Sequence, residues 1–324
     1  MVHRSPARLK LLLLAIASCI VSCLEPGFAR PAQQRVSPDA GSSPSSQYVL
    51  DLRLVADTVN SLRRVHTDGM ETEIPAPAKP LLTKLKHELR DLIANRLRFE
   101  KRRVSTQQLQ ARVIVDLSDL GLFDSEEGYV IIDTDYYDVG YDCGDIQSIT
   151  VARPHDAFDL IAVTTTLGIC CGADTSLYLF KYEDGEWKLI LADEKNDYDS
   201  LSDGRSRFEF GVSWPDENRD FFVVTASVNS WCTSNWQSIT YRVLRFGPRP
   251  DEPSVLLSRA QTIYLGAGDP PYRLEVGDSS FRLSFYGDKY ADFMNKGADE
   301  DGEDDSVKEL VRCRVEGDAV IREK

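Results

Sequence analysis

Residues 149–174 read ITVARPHDAFDLIAVTTTLGICCGAD, and residues 210–235 read FGVSWPDENRDFFVVTASVNSWCTSN. The two stretches align without a gap at an offset of 61, and both polar and apolar positions agree. The agreeing pairs include Val151 with Val212, Pro154 with Pro215, Asp159 with Asp220, Val163 with Val224, Thr164 with Thr225 and Cys171 with Cys232. Because a turn proline, a strand-leading aspartate and a cysteine all recur, the alignment predicts an internal duplication.

The duplicated stretches lie in a region with the sequence pattern of β-strands. Beyond Gly121 the periodicity becomes two, and turn residues recur about every eight to twelve positions. Four consecutive strands are predicted at 146–151, 159–167, 176–182 and 187–191. The last two are joined by Glu183-Asp184-Gly185-Glu186, a strong hairpin signal. Each copy should therefore be a four-stranded antiparallel meander, at about 146–206, 207–267 and, more weakly, 268–324.

The expected fold class is mainly β with an α-helical N-terminal region. Repeated antiparallel meanders would form propeller-like blades or a β-sandwich within a domain spanning 123–324. Three blades are too few for an ordinary closed propeller, and the Trp-Asp and kelch signatures are absent. Both arrangements therefore stay open.

Helical periodicity is confined to the region 48–122. Apolar residues recur at three- and four-residue spacing from Tyr48 to about Arg64 and from Pro80 to Arg103, and a third helix should begin at the capping box of Ser105 and end near Gly121. The polar side of the second helix is basic and includes Lys84, Lys86, Arg90, Arg96, Arg98, Lys101, Arg102 and Arg103. This side is expected to lie in solvent against an acidic body, or alternatively to face an anionic membrane or partner.

The first 29 residues have the features of an export signal. Basic residues precede an apolar run from Leu11 to Cys23, which is too short for a membrane span, and cleavage is expected after Ala29. Residues 30–47 are rich in Pro, Ser, Gln and Ala and should form a flexible linker. The chain is thus expected to be secreted or periplasmic, with no transmembrane span after processing. A lipid anchor at Cys19 or Cys23 is the alternative.

The charge is divided unevenly along the chain. There are 18 basic and 10 acidic residues through Arg112, and 20 and 42 thereafter, within a formal net charge of −14. Because an acidic body repels phosphate backbones, nucleic acid is not an expected partner.

Five cysteines remain after the expected cleavage: Cys143, Cys170, Cys171, Cys232 and Cys313. In an exported protein these are disulfide candidates, although the sequence does not determine their pairing. No paired Cys-x-x-Cys occurs, so no metal site is expected. No cofactor motif occurs either, because Gly266-Ala267-Gly268 is followed by prolines rather than by a helix. The acidic run 299–305 does not match the register of a calcium-binding loop.

Candidate binding residues come from the loops 168–175 and 229–236. Their alignment gives Cys-x-x-Asx in both, at Asp174 and Asn235, and equivalent loops should lie at one edge of equivalent sheets. Trp231 and Trp236 would offer flat faces there, and the Asx side chains would hydrogen-bond a polar ligand such as a glycan or a peptide. The structural alternative is that the Asx residues form turns and the cysteines join the loops.

No catalytic motif is recognised in the chain, so no catalytic residue is assigned. Gly277-Asp278-Ser279-Ser280 resembles a lipase motif in letters only and is better explained as a hairpin turn. The leading hypothesis is an exported, non-catalytic binding or interaction protein. The alternative is a cell-envelope hydrolase acting on glycan or peptide through paired carboxylates, for which Asp133, Asp135 and Asp174 are candidates.

Overall fold

In the computed structural model, the described residues are 45–65, 73–123, 143–155, 159–169, 172–217, 220–230, 234–267, 270–295 and 308–323. The proposed signal, most of the linker, the acidic run and the candidates Asp133, Asp135, Cys170, Cys171, Trp231 and Cys232 lie outside these ranges. Residues 44–324 form one compact unit.

Three helices precede the strands, as the apolar periodicity predicts. They are α1 (Ser46–Leu62), α2 (Ala78–Leu97) and α3 (Thr106–Ser118). The predicted cap of α3 is confirmed, because the Ser105 hydroxyl accepts a hydrogen bond from the Gln108 N–H at 3.3 Å. Gly121 follows the helix with φ +66°, a conformation that favours glycine. The second helix ends at Leu97 rather than at Arg103, because the apolar spacing that gives it a buried face stops there.

Within the described residues, twelve strands form three antiparallel sheets in chain order. Sheet 1 contains β1 (Ile146–Ala152), β2 (Leu160–Ile169), β3 (Gly172–Glu183) and β4 (Glu186–Asp193). Sheet 2 contains β5 (Arg205–Val212), β6 (Val223–Asn229), β7 (Trp236–Arg245) and β8 (Ser254–Tyr264). Sheet 3 contains β9 (Tyr272–Val276), β10 (Ser280–Tyr286), β11 (Lys308–Glu316) and β12 (Ala319–Arg322), with α4 (Asp288–Asn295) between β10 and β11. Each sheet is a meander, so the mainly β expectation is confirmed.

The predicted hairpin between β3 and β4 is also confirmed. Glu183 pairs with Glu186, while Asp184 and Gly185 have φ values of 55° and 92°. Positive φ at both central positions gives a turn whose twist matches that of the flanking strands.

The layers are held together by separate apolar clusters. Alternate residues of β2 point to opposite faces: Ile161 and Val163 pack with the helices, whereas Leu160 and Ala162 pack against sheet 2. Sheet 2 in turn packs on sheet 3 through residues such as Val224. The helices and the three sheets therefore follow one another as layers, and sheets 1 and 2 are buried on both faces.

The pairing registers of sheets 1 and 2 show matching irregularities. The β1–β2 register shifts between Ile146 and Ser148, and the β5–β6 register shifts between Ser206 and Glu209. At the offset of 61 these positions nearly coincide. Such bulges re-aim the strand that carries them.

Candidate functional site

Described residues next to the two predicted Cys-x-x-Asx turns lie beside each other. The Ala173 N–H donates to the Ser230 hydroxyl at 3.1 Å, and a Cβ added at Gly172 would lie 2.5 Å from the Ser230 Cβ. Ala173 belongs to sheet 1 and Ser230 follows the second strand of sheet 2. The described residues that flank both turns therefore meet at one edge of the layers, which we call the network end.

Asp174 does not lie in an exposed loop, and this placement corrects the predicted loop 168–175. The strands β2 and β3 extend through this region, and Asp174 pairs with Leu167 inside sheet 1. The aligned counterpart of Leu167 is Val228. If the two copies matched throughout, Val228 would pair with Asn235, but it pairs with Ile239, four positions later. The ungapped match between the two copies thus fails within the turn, because the turn in sheet 2 is longer. Asp174 and Asn235 are not equivalent in the fold.

The Asp174 carboxylate is fully buried and belongs to a set of polar contacts that we call the charge network. Its members are Lys86, Asp174, Asp193, Tyr198, Arg205 and Arg242. The Lys86 ammonium donates to the Asp174 carboxylate and to the Tyr198 hydroxyl. On the other side, the Arg205 backbone N–H donates to Asp174 at 3.1 Å. Both oxygens of the Asp174 carboxylate therefore have partners inside the protein.

Two arginines complete the charge network around a second buried carboxylate. Arg205 lies 2.9 Å from one oxygen of Asp193, and Arg242 lies 2.5 Å from the other. Burial alone would raise the pKa of Asp193, but the charges of Arg205 and Arg242 outweigh it and hold that pKa below its ordinary value. Asp193 is therefore an ionised carboxylate whose charge is compensated internally.

Lys86 shows why a basic helix face was a misleading signal. The sequence pattern places Lys86 on the solvated side of α2, yet its side chain is fully buried. Burial lowers the pKa of Lys86, because the attraction of Asp174 only partly offsets the lost hydration. Two other basic residues of this region confirm the expected contact with the acidic body: Arg90 lies 3.3 Å from Glu194, and Arg102 lies 2.5 Å from Asp159.

Trp236, a predicted binding residue, lies at the exposed start of β7. Its side chain is 39% exposed, and its ring packs on Tyr264 of β8 at 4.8 Å between centroids. The Tyr264 ring stacks in turn on Tyr290 of α4 at 5.3 Å. We call these three rings the aromatic platform. Cross-strand pairing of Trp236 with Tyr264 places the two rings side by side.

The backbone beside the platform is held by local hydrogen bonds. The Trp236 N–H donates to the Ser234 hydroxyl at 3.0 Å, and the Leu265 N–H donates to the Asn235 carbonyl at 2.8 Å. Asn235 is exposed, and among the described residues none hydrogen-bonds its side-chain amide. Of the four predicted binding residues, the structure thus brings Asn235 and Trp236 together, keeps Asp174 buried in β3 and does not describe Trp231.

A groove of about 490 Å³ lies at the end of the strands that is opposite to the network end. The first turn of sheet 2 and the first turn of sheet 3 meet there. It is lined by Trp214, Pro215, Asp216, Asp278 and Ser279, and we call it the turn groove. The predicted hairpin turn at Gly277 is confirmed, since the Gly277 N–H donates to the Ser280 carbonyl at 2.8 Å. The alignment of Pro215 with Pro154 predicts a turn at this position of sheet 2. The sequence does not indicate that the Gly277 turn of sheet 3 lies beside it.

The two described cysteines do not bond to each other. Cys143 is buried in the cluster formed by the helices and sheet 1, and Cys313 is buried between sheets 2 and 3. Burial raises the pKa of the Cys313 thiol. Within the described ranges, no three His, Cys, Asp or Glu side chains converge as metal ligands, and no helix is long and apolar enough to cross a membrane.

Comparison with known proteins finds no matching family model, no matching curated protein and no matching solved structure.

Proposed function

We propose that this protein is an exported, non-catalytic binding protein that recognises glycan through the aromatic platform. The observation that carries the proposal is the Trp236 ring, which is exposed although it packs against the Tyr264 ring of the neighbouring strand. An aromatic ring that is already ordered loses little conformational entropy when a ligand covers it. Such a ring is therefore suited to binding.

The chemistry beside Trp236 favours an uncharged, hydroxyl-bearing ligand. A pyranose ring has an apolar face of C–H groups that can cover an indole, while its edge carries hydroxyls. The Asn235 amide can both donate and accept hydrogen bonds, as hydroxyl recognition requires. Ser234 flanks the platform as a further polar group. Its hydroxyl accepts a hydrogen bond from the Trp236 N–H, and its carbonyl accepts one from the side-chain amide of the buried Gln237. A peptide strand is the other ligand that this surface could accept.

The buried charge network supports a non-catalytic role for this end of the molecule. A catalytic carboxylate must reach the substrate, whereas Asp174 and Asp193 are 0% and 2% exposed and are bound by Lys86, Arg205 and Arg242. These charges instead hold α2, sheet 1 and sheet 2 together. The platform then lies on a support whose buried carboxylates are paired with cations.

For the architecture, we propose that the three meanders are propeller-like blades in an open stack that descend from one duplicated unit. Face-to-face packing in chain order and the matching register shifts of sheets 1 and 2 support this arrangement. A β-sandwich with an added sheet is the alternative.

The proposal that the protein is exported rests on the basic and apolar start of the chain. The exported protein is either released by cleavage after Ala29 or attached to lipid at Cys19 or Cys23.

The test is a glycan microarray probed with the mature protein, followed by calorimetric titration of the best oligosaccharide. Trp236→Ala should weaken binding by about tenfold or more, which corresponds to about 1.4 kcal/mol. Trp214→Ala is the matched control, because it removes another exposed tryptophan at the opposite end. Absence of any glycan binding, or equal loss in both variants, would overturn the proposal.

The hydrolase alternative is supported by one observation, which is that Asp216 and Asp278 both line the turn groove. Paired carboxylates act on glycosidic bonds when they are about 5 to 9.5 Å apart. Release of new reducing ends from the same oligosaccharides, lost in Asp278→Asn, would replace the binding proposal with this one.

A further inference from the structure

The turn groove has a composition that differs from that of the aromatic platform. Its lining contains one indole, one proline ring, one hydroxyl and two carboxylates, at Asp216 and Asp278. Carboxylates can only accept hydrogen bonds, so a ligand in this groove must donate them. An indole face also attracts cations.

Trp214 is held so that it lines the groove without being buried. Its ring stacks on His155 with centroids 4.3 Å apart, and the side chain remains 44% exposed. His155 is fixed in turn, because its Nε2 lies 2.7 Å from the Val212 carbonyl oxygen. A residue from sheet 1 thus supports the indole that sheet 2 contributes.

Asp278 is the carboxylate that remains available in the groove. Its turn is ordered by backbone hydrogen bonds, from Gly277 to Ser280 and from Val315 to Ser279, both at 2.8 Å. In the part of the chain that the structure describes, no side chain pairs with its carboxylate, which is exposed. Arg153, two residues before His155 in the chain, is engaged elsewhere, since it lies over Trp187 and donates to the carbonyls of Arg102 and Val104.

We propose that the turn groove binds an arginine side chain of a partner polypeptide, with the guanidinium beside the Trp214 indole and hydrogen-bonded to Asp278. A guanidinium combines a planar face that stacks on aromatic rings with a fork of donors that fits a carboxylate. The net charge of −14 attracts basic segments at long range. This site is separate from the aromatic platform and does not depend on glycan binding.

The test is calorimetric titration of the mature protein with the peptide acetyl-Gly-Arg-Gly-Arg-Gly-amide. Its citrulline analogue has nearly the same shape but no charge, and it should bind at least about tenfold more weakly, because charge-assisted hydrogen bonds are the stronger ones. Trp214→Ala and Asp278→Asn should each weaken binding of the arginine peptide by about fivefold or more. Circular dichroism of each variant confirms that it is folded.

Two further variants separate the groove from general electrostatics. Asp318→Asn removes another exposed carboxylate, and Trp236→Ala removes the second tryptophan that is exposed among the described residues. Both should leave peptide affinity within about twofold, because neither side chain lines the turn groove. Equal binding of the citrulline peptide, unchanged affinity in Trp214→Ala, or an equal loss in Asp318→Asn would overturn the proposal.

Discussion

The network end and the turn-groove end of the layers use the same kinds of residues in opposite ways. At the network end, Asp174 is fully buried and bound by Lys86 and Tyr198. At the turn-groove end, Asp278 is exposed and has no side-chain partner among the described residues. Each end also presents an exposed tryptophan, Trp236 at one and Trp214 at the other.

The difference in burial between Asp174 and Asp278 separates an acidic residue that stabilises the fold from one that is available to a ligand. At the network end the carboxylates Asp174 and Asp193 lie inside, and the exposed residues Asn235 and Trp236 are uncharged. At the turn-groove end the carboxylates lie at the surface beside Trp214. The two ends should therefore bind chemically different ligands, and each tryptophan is the natural control for the other.

The largest expected difference in stability between the two ends appears when the buried carboxylate of one end and the exposed carboxylate of the other are removed in turn. Asp174→Ala should lower the free energy of unfolding by about 3 to 5 kcal/mol, because it leaves Lys86 buried without its charge partner. Asp278→Ala should change the free energy of unfolding by less than about 0.5 kcal/mol, as exposed substitutions usually do. Urea denaturation of both variants measures this. Similar losses in the two variants would remove the distinction between the ends.

A smaller effect is expected from adding one methyl group at each end. Gly172→Ala would place its Cβ 2.5 Å from Ser230 and should cost about 1 to 3 kcal/mol of unfolding free energy through overpacking. Gly277→Ala should be nearly neutral, because its Cβ would lie 3.6 Å from the nearest atoms. Thermal unfolding compares them. If Ser230→Gly does not rescue Gly172→Ala, the close contact between the two turns is wrong.

The smallest effect is a pH dependence that belongs to the network end. The depressed pKa of Asp193 contributes stability that is present above its ordinary value of about 3.9 and is lost as the pH falls through the folded-state value. The free energy of unfolding should therefore decrease on acidification below about pH 4, because the unfolded chain binds the proton more readily than the folded one. Asp193→Asn should flatten that slope, and Asp278→Asn should not. Urea titrations at pH 3 to 7 measure both, and an unchanged slope in Asp193→Asn contradicts the assignment.

Local chemistry made much of the fold predictable. The turn at Asp184 and Gly185 and the cap at Ser105 depend on a few adjacent residues, and both occur as expected. Alternating apolar residues likewise located the strands of sheet 1. Such features depend on backbone preferences that the sequence states directly.

The candidate sites were less predictable because they depend on contacts between distant segments. A lysine in a basic helix is ordinarily solvated, and only the position of Asp174 across the layer makes Lys86 a buried partner. The aligned proline at position 215 indicated that Trp214 lies beside a turn. It did not indicate that Asp278 of sheet 3 lines the same groove. Asn235 and Trp236 are neighbours in the chain, so the sequence alone was enough to place them side by side.

The most direct test of the account is titration of one neutral oligosaccharide, chosen by microarray, into three proteins: the unaltered chain, Trp236→Ala and Trp214→Ala. The account predicts that the affinity falls by about tenfold or more in Trp236→Ala alone. Retained affinity in Trp236→Ala, or the loss appearing in Trp214→Ala instead, would contradict the claim that the aromatic platform is the glycan-binding surface.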